Sequence, residues 1–421
     1  MSILLKNVTL EKGREVNIYI EDNLILEISK EVKDADKILD CNNKIVIPGL
    51  ANMHTHAAMI LLRGYADDML LQEWLEKKIW PIEAKFNEEI VYYGTKLACL
   101  EMIKTGTTLF SDMYLYMKAA LKAVKEMGLR AMLAEAYFDF FDEEVAEQYK
   151  KKSLEFLNEV KREGCERIIA ALGPHAIYTV SKDSLEWISE LANEKDVRIH
   201  FHLSETEKEN KDCIKKYGKS PTKYLAEINF LSNRVFAAHA VYLSERDVRL
   251  LSNHNVKVVS CPTSNMKLCV GSALNYPLLK KHKVLVTLGT DSASSNNNLD
   301  MFEEMKFFSL LQKFYHANPV LLPAKETFEI ASTNAYKALG LNGGKIEEGA
   351  LADIVVLNAK NHYLLPTHNL ISNLVYSANG SVVETVICDG KILMECGKVK
   401  DEDKIKQDGI NAIKKLIQEN G

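Results

Sequence analysis

A chain of 421 residues, 47% of them hydrophobic, is long enough for a barrel-sized core with a smaller unit attached. Its net charge of -5 at pH 7 leaves no basic stripe, which argues against a nucleic-acid partner. The eight cysteines form no C-x-x-C pair, which argues against a disulfide framework or zinc ribbon and reads as free thiols in a reducing cytosol. The first residues, Met1-Ser2-Ile3-Leu4-Leu5-Lys6, turn polar too soon for a signal peptide, and no apolar run reaches the length of a membrane span. A cytoplasmic protein without a membrane partner is expected.

In chain order, residues 1 to about 49 alternate apolar and polar positions, as in Val16-Asn17-Ile18-Tyr19-Ile20-Glu21, and predict short strands that end at Pro48-Gly49. From about Pro48 to Leu339 the period changes, and apolar strands alternate with helical segments, the signature of parallel βα units. Strands are predicted to end near His56, Asp112, Phe138, His175, Glu205, His239, Ser264 and Asp291, and eight is the number a closed βα barrel requires. After Gly340 short strands return in Leu351 to Leu357 and Ser381 to Leu393, and Ile405 to Asn420 predicts an amphipathic helix. The expected fold is α/β: a (β/α)8 TIM-type barrel over 50–340, with a small β-sandwich domain built from 1–49 and 341–421. Isolated short strands could not bury their faces alone, so the two ends are expected to pair.

Chemistry-bearing residues fall at the strand ends, where a barrel assembles its site. The run Val46-Ile47-Pro48-Gly49-Leu50-Ala51-Asn52-Met53-His54-Thr55-His56 ends in two imidazoles spaced two apart, so both face one side of a strand. With His202 and Asp291 they make three imidazoles and one carboxylate, a set suited to one divalent cation, zinc first and iron as the alternative. Such an ion lowers the pKa of a coordinated water toward neutrality. A two-metal site would want a bridging modified lysine on the fourth barrel strand, which instead ends Ala171-Leu172-Gly173-Pro174-His175. Glu205, just beyond His202, is placed to shuttle a proton, and His239 to orient the water or polarise the group under attack.

Other candidates carry a plainer reading beside the functional one. His200 is expected to point away from His202 and to be packed or hydrogen-bonded, while His254, His282, His316, His362 and His368 are expected at the surface. Ser295, beside Asn296-Asn297-Asn298, could donate to a substrate or cap a helix. Trp74 and Trp80 could line a pocket wall or simply pack. Asp67-Asp68 reads as a loop or cap feature.

These motifs, together with Leu62-Arg63-Gly64-Tyr65-Ala66-Asp67-Asp68, Ile79-Trp80-Pro81-Ile82-Glu83, Gly173-Pro174-His175, His202-Leu203-Ser204-Glu205-Thr206, Ser264-Asn265-Met266-Lys267-Leu268 and Gly289-Thr290-Asp291, resemble the amidohydrolase superfamily over nearly the whole chain. The Trp-Pro-x-Glu segment points to its 5'-methylthioadenosine/S-adenosylhomocysteine deaminase branch. The resemblance implies hydrolytic deamination of the adenine C6 amino group of a 5'-modified adenosine, giving the inosine analogue and ammonia. It implies Glu83 on the ribose hydroxyls, His175 on the nucleoside, Glu205 on a purine ring nitrogen, and Asp291 taking the water's proton. It also implies a homo-oligomer whose ligand is a small nucleoside.

Where branch members that accept S-adenosylhomocysteine carry an arginine, this chain has Glu135, so uncharged 5'-substituents are expected to be preferred. Ile177 and Ser260-Cys261 also depart from the family pattern, without removing a proposed ligand. The alternatives are an aminohydrolase of the same superfamily acting on guanine, cytosine or a triazine, and a barrel kept as an interaction protein. A free base offers no ribose for Glu83, and an interaction protein would be expected to have lost ligands.

Overall fold

The computed structural model describes residues 1–11 and 13–418. Five strands open the chain: β1 (Ser2–Thr9), β2 (Glu15–Glu21), β3 (Leu24–Ser29), β4 (Lys37–Asp40) and β5 (Lys44–Pro48). Eight barrel strands follow: β6 (Leu50–Thr55), β7 (Thr107–Tyr114), β8 (Arg130–Tyr137), β9 (Ile168–Pro174), β10 (Arg198–Leu203), β11 (Val235–His239), β12 (Lys257–Ser260) and β13 (Val286–Leu288). They pair in sequence order, all parallel. Such strands are buried on both faces, and every residue of β6, β7 and β8 is buried.

The seam between the last and first strands is closed by hydrogen bonds. Asp291 N–H donates to His54 O at 2.9 Å, Thr290 N–H donates to Asn52 Oδ1 at 2.9 Å, and Asn52 Nδ2 donates to Thr290 Oγ1 at 2.7 Å. This seam sets the first ligand strand against the segment that bears Asp291. Helices between the strands start on side-chain caps: Asn87 accepts from Ile90 N–H and Asp142 from Val145 N–H, each meeting a donor the first turn leaves free.

Two strand ends differ from expectation. β12 stops at Ser260 because Pro262 opens a short helix, Pro262–Lys267, on which Ser264 stands. β13 stops at Leu288, so Asp291 lies on the loop beyond it. The Ser381 to Leu393 run resolves into a 3-10 turn and the strands β15 (Val383–Cys388) and β16 (Lys391–Glu395), which follow β14 (Ile354–Asn358) and precede β17 (Lys398–Val399). The closing helix runs Glu402–Gln418; Glu419 and Asn420, which the prediction included, lie outside the described residues.

Both chain ends share one mixed sheet, in the order β17-β16-β15-β14-β5-β1-β2-β3, with β4 on β1. β5 pairs antiparallel with β14 along its whole length, which brings the chain ends together directly before β6 leaves for the barrel. One face of this sheet buries its own cluster, including Ile3, Leu5, Ile18, Ile20, Ile354 and Val356. No helix of the described residues is long and apolar enough to cross a membrane.

Candidate active site

Three imidazoles converge at the C-terminal ends of β6 and β10, each anchored through Nδ1. His56 Nδ1 donates to Met113 O at 2.6 Å, and His202 Nδ1 donates to His175 O at 2.9 Å. A carbonyl can only accept, so Nδ1 of each ring carries a hydrogen, and the neutral tautomer this selects leaves Nε2 bare. Those two Nε2 atoms lie 3.3 Å apart, and His54 Nε2, fully buried, has no hydrogen-bond partner among the described residues. Asp291 Oδ1 stands 3.6 Å from His54 Nε2 and 3.4 Å from His56 Nε2.

Lone pairs that face one another at such separations repel unless a cation lies among them. A tetrahedral ion with ligand bonds near 2.0–2.1 Å would hold its donors about 3.3–3.4 Å apart, close to the spacings found. The donor set therefore fits a divalent cation. His54, His202 and His239 also present ligand atoms within 4.8 Å of one another, so His239 borders the same centre.

Neighbouring side chains fix these groups. Asp291 Oδ2 accepts from Ser264 Oγ at 2.6 Å and Ser295 Oγ at 3.1 Å, while Oδ1 accepts from Ser292 N–H at 2.8 Å. His239 Nδ1 lies 3.1 Å from Asn265 Nδ2 and 3.8 Å from Glu205 Oε1. Asp112 Oδ1 accepts from Ala57 N–H at 2.8 Å and Thr55 Oγ1 at 3.1 Å, which pins the chain on both sides of His56. Burial pushes the Asp112 carboxyl up to about 6. Ser204, His239, Ala240 and Asp291 all sit at positive φ, between 48° and 68°, and strained backbone of this kind concentrates at functional centres.

Electrostatics separate the acids from the bases. Glu205 is pushed up to about 8, mainly by burial and then by the Asp291 carboxylate, so it holds its proton at neutral pH. Burial drives His239 down to about 4 and His175 to about 3, which keeps both neutral. Glu205 itself is held by the turn behind it, where its N–H and that of Ser204 donate to the Glu209 carboxylate, both at 2.9 Å.

The cleft above the centre is open at its mouth and spans about 730 Å³ when the solvent-filled opening is counted. Glu83 stands in its wall with Oε1 accepting from Tyr114 OH at 2.6 Å, and His175 with Nδ1 2.8 Å from Thr179 Oγ1. Trp80 lines the wall, as does Trp74, whose indole N–H donates to Ala66 O at 3.0 Å. Asp67 pairs with Lys267, which ties the 65–83 segment to the Pro262–Lys267 helix.

Three expectations are corrected by this geometry. Ser295 is buried behind Asp291 and hydrogen-bonds it, while Ser292 stands in the cleft wall instead. Glu135 is not in the cleft wall, to which β8 and the loop after it contribute Ala136 and Phe138. Its Oε2 accepts from Met117 N–H at 2.8 Å, and burial pushes it up to about 7. His200 shares the inward face of β10 with His202, as a spacing of two requires, and its Nε2 lies 2.7 Å from His54 Nδ1. Sequence reasoning assigned no role to Ser111, Asp112, Tyr114, Thr179 or Asn265; the strand end expected at Asp112 and the Ser264-Asn265 motif were the available signals.

Residues 45–393 match the amidohydrolase family. The chain is 49% identical over 404 residues to 5-methylthioadenosine/S-adenosylhomocysteine deaminase 1 of Archaeoglobus fulgidus, covering 95% of each chain. It is 44% identical over 423 residues to the 5'-deoxyadenosine deaminase of Methanoregula boonei, covering 99% of this chain and 96% of that one. Among solved structures, an adenosine deaminase from Xanthomonas campestris with bound zinc superposes with a TM-score of 0.92 at 29% identity, covering 99% of this chain and 98% of that chain.

Proposed function

The chain belongs to the amidohydrolase family, and on that premise we propose that it hydrolytically deaminates the adenine ring of 5'-modified adenosines, releasing ammonia and the inosine analogue. The observation that carries this reading is one cleft in which a cation-fitting donor set, a protonated Glu205 and a half-buried Glu83 all present themselves. His54, His56, His202 and Asp291 would hold the ion. Zinc is the cation proposed, supported by the nitrogen-rich donor set and the zinc in the similar adenosine deaminase structure.

When bound, the ion supplies Lewis acidity that lowers the pKa of water at the site toward neutrality. Glu205 donates its proton to a purine ring nitrogen, which makes C6 the electrophilic carbon. Asp291, steadied by Ser264 and Ser295, accepts the proton of the attacking water. His239 takes a hydrogen bond from Asn265 at Nδ1, so its Nε2–H is free to donate to the oxygen that arrives at C6. Water attacks C6, Asp291 passes the proton it took to the amino group, the C6–N bond breaks as ammonia leaves, and the remaining hydroxyl proton returns to Glu205 as the C6 carbonyl forms.

Glu83 offers the carboxylate oxygen that Tyr114 leaves free to the ribose hydroxyls, and His175 borders the nucleoside. Leu71, Leu75, Ile79, Leu115 and Phe138 give the cleft an apolar wall, and among the described residues no lysine or arginine lines it. Uncharged 5'-substituents such as deoxy and methylthio suit that wall, and this replaces repulsion by Glu135 as the reason to favour them. The same proposal includes assembly into a homo-oligomer, by likeness to the family, and a cytoplasmic location, supported by the free state of its cysteines. Ribose recognition is tested with Glu83→Gln. It should raise KM for 5'-deoxyadenosine at least tenfold; an unchanged KM would remove Glu83 from the nucleoside site.

A further inference from the structure

His200 touches neither the cleft nor the donor atoms, yet it is fully buried against His54. Its Nε2 lies 2.7 Å from His54 Nδ1, and its Nδ1 lies 3.0 Å from Ser111 Oγ. Hydrogens can run along this chain in two directions. In one, His54 Nδ1–H donates to His200 Nε2, and His200 Nδ1–H donates to Ser111 Oγ. In the other, Ser111 O–H donates to His200 Nδ1, His200 Nε2–H donates to His54 Nδ1, and the last proton sits on His54 Nε2.

Each direction leaves one buried hydrogen without an acceptor among the described residues: the Ser111 hydroxyl, whose one partner is His200 Nδ1, in the first, and His54 Nε2–H in the second. His54 Nε2 has no hydrogen-bond partner, and Asp291 Oδ1, at 3.6 Å, is beyond hydrogen-bond reach. The two differ in where the stranded hydrogen sits: the second direction puts it on the atom whose lone pair a cation requires, and the first leaves that lone pair bare. We infer that His200, backed by Ser111, is a positioning residue that holds His54 in its Nδ1–H tautomer and so aims a lone pair at the metal centre.

The contrast with the other two ligands gives this relay its meaning. Met113 O and His175 O fix the tautomers of His56 and His202 through the backbone, and a carbonyl admits one setting only. His54 is the ligand whose tautomer is set by side chains, both of which can donate or accept. Affinity for the ion therefore depends on two residues that contact neither ion nor substrate. The inference rests on the reading of His54 as a metal ligand.

The test starts with zinc-loaded wild-type protein carrying 15N-histidine, observed by ring-nitrogen NMR, with the His54 and His200 signals identified by their loss in His54→Gln and His200→Gln. The expected result is a hydrogen on Nδ1 and none on Nε2 for both His54 and His200, the pattern of the first direction. A proton on His200 Nε2, together with one zinc per chain, would overturn the relay and leave the metal reading standing. Failure of the wild type to take up zinc would overturn both. Chelator competition supplies the second arm. His200→Leu, which lacks an acceptor, should weaken zinc binding about 10–100-fold, and His200→Gln, which can place an oxygen near the Nε2 position, should recover most of that loss. Equal loss in both variants at equal melting temperature would contradict the acceptor role.

Discussion

Asp291 turns its two oxygens to different partners. Oδ2 is occupied by the Ser264 and Ser295 hydroxyls, which leaves Oδ1 toward His54 and His56. Asp291→Asn keeps the shape and removes the charge and the basic oxygen. It should lower kcat by about 10²–10⁴ with the fold intact, as read by the ultraviolet change on deamination and by circular dichroism. Wild-type turnover in this variant would remove Asp291 from proton transfer. The ligands were legible in the sequence because each sits where an apolar run stops, and a barrel places such residues at one face. Their supports were not. Ser111, Asp112 and Asn265 act on residues far away in the chain, and nothing local marks a serine that will meet a histidine 89 positions on.

At the scale of the element, the site depends on how closely β13 approaches β6. A Cβ built on Gly289 would lie 2.5 Å from His54 N and 2.7 Å from His54 Cβ, and both neighbours are core strand atoms that cannot swing aside. Gly289→Ala is expected to shift the ligand strand, weakening zinc binding at least tenfold and lowering the melting temperature; chelator competition and thermal melts check both. Zinc binding equal to wild type would show that the seam does not set the ligand position. Strand parity explains the misreading of Glu135. β8 is buried on both faces, so its composition carries no alternation from which to tell inward from outward residues. For β10 the spacing did carry that information, and the shared face of His200 and His202 follows from it.

At the scale of the molecule, the barrel rests on the mixed sheet through a buried ion cluster. Arg130, at the start of β8, donates to Asp353 at 2.8 Å and to Asp389 at 2.9 Å, and Tyr336 OH donates to Asp353 at 2.8 Å. Arg130 is 3% exposed and Asp353 is fully buried. Removing one partner of such a pair leaves an uncompensated buried charge, so Asp353→Ala should cost about 3–5 kcal/mol in denaturant unfolding. A loss below about 1 kcal/mol would show that the cluster does not join the two parts. We propose 50–340 as the barrel unit and 1–49 with 341–421 as the small unit. The eight-strand count and the return of short strands after Gly340 were readable from periodicity. The full pairing of β5 with β14 was not, because nothing local in either strand names a partner some 300 positions away.

The central claim is that this cleft deaminates a nucleoside, and the most direct test is turnover by the zinc-loaded protein. Ammonia release and the adenine-to-hypoxanthine absorbance change would be followed on 5'-deoxyadenosine, 5'-methylthioadenosine, adenosine and S-adenosylhomocysteine, with guanine and cytosine beside them. The account predicts fast turnover of the uncharged nucleosides, slower turnover of S-adenosylhomocysteine, and loss of activity when a chelator removes the ion. Activity on a free base with none on any nucleoside would contradict it, and the ribose role of Glu83 would fall at the same time.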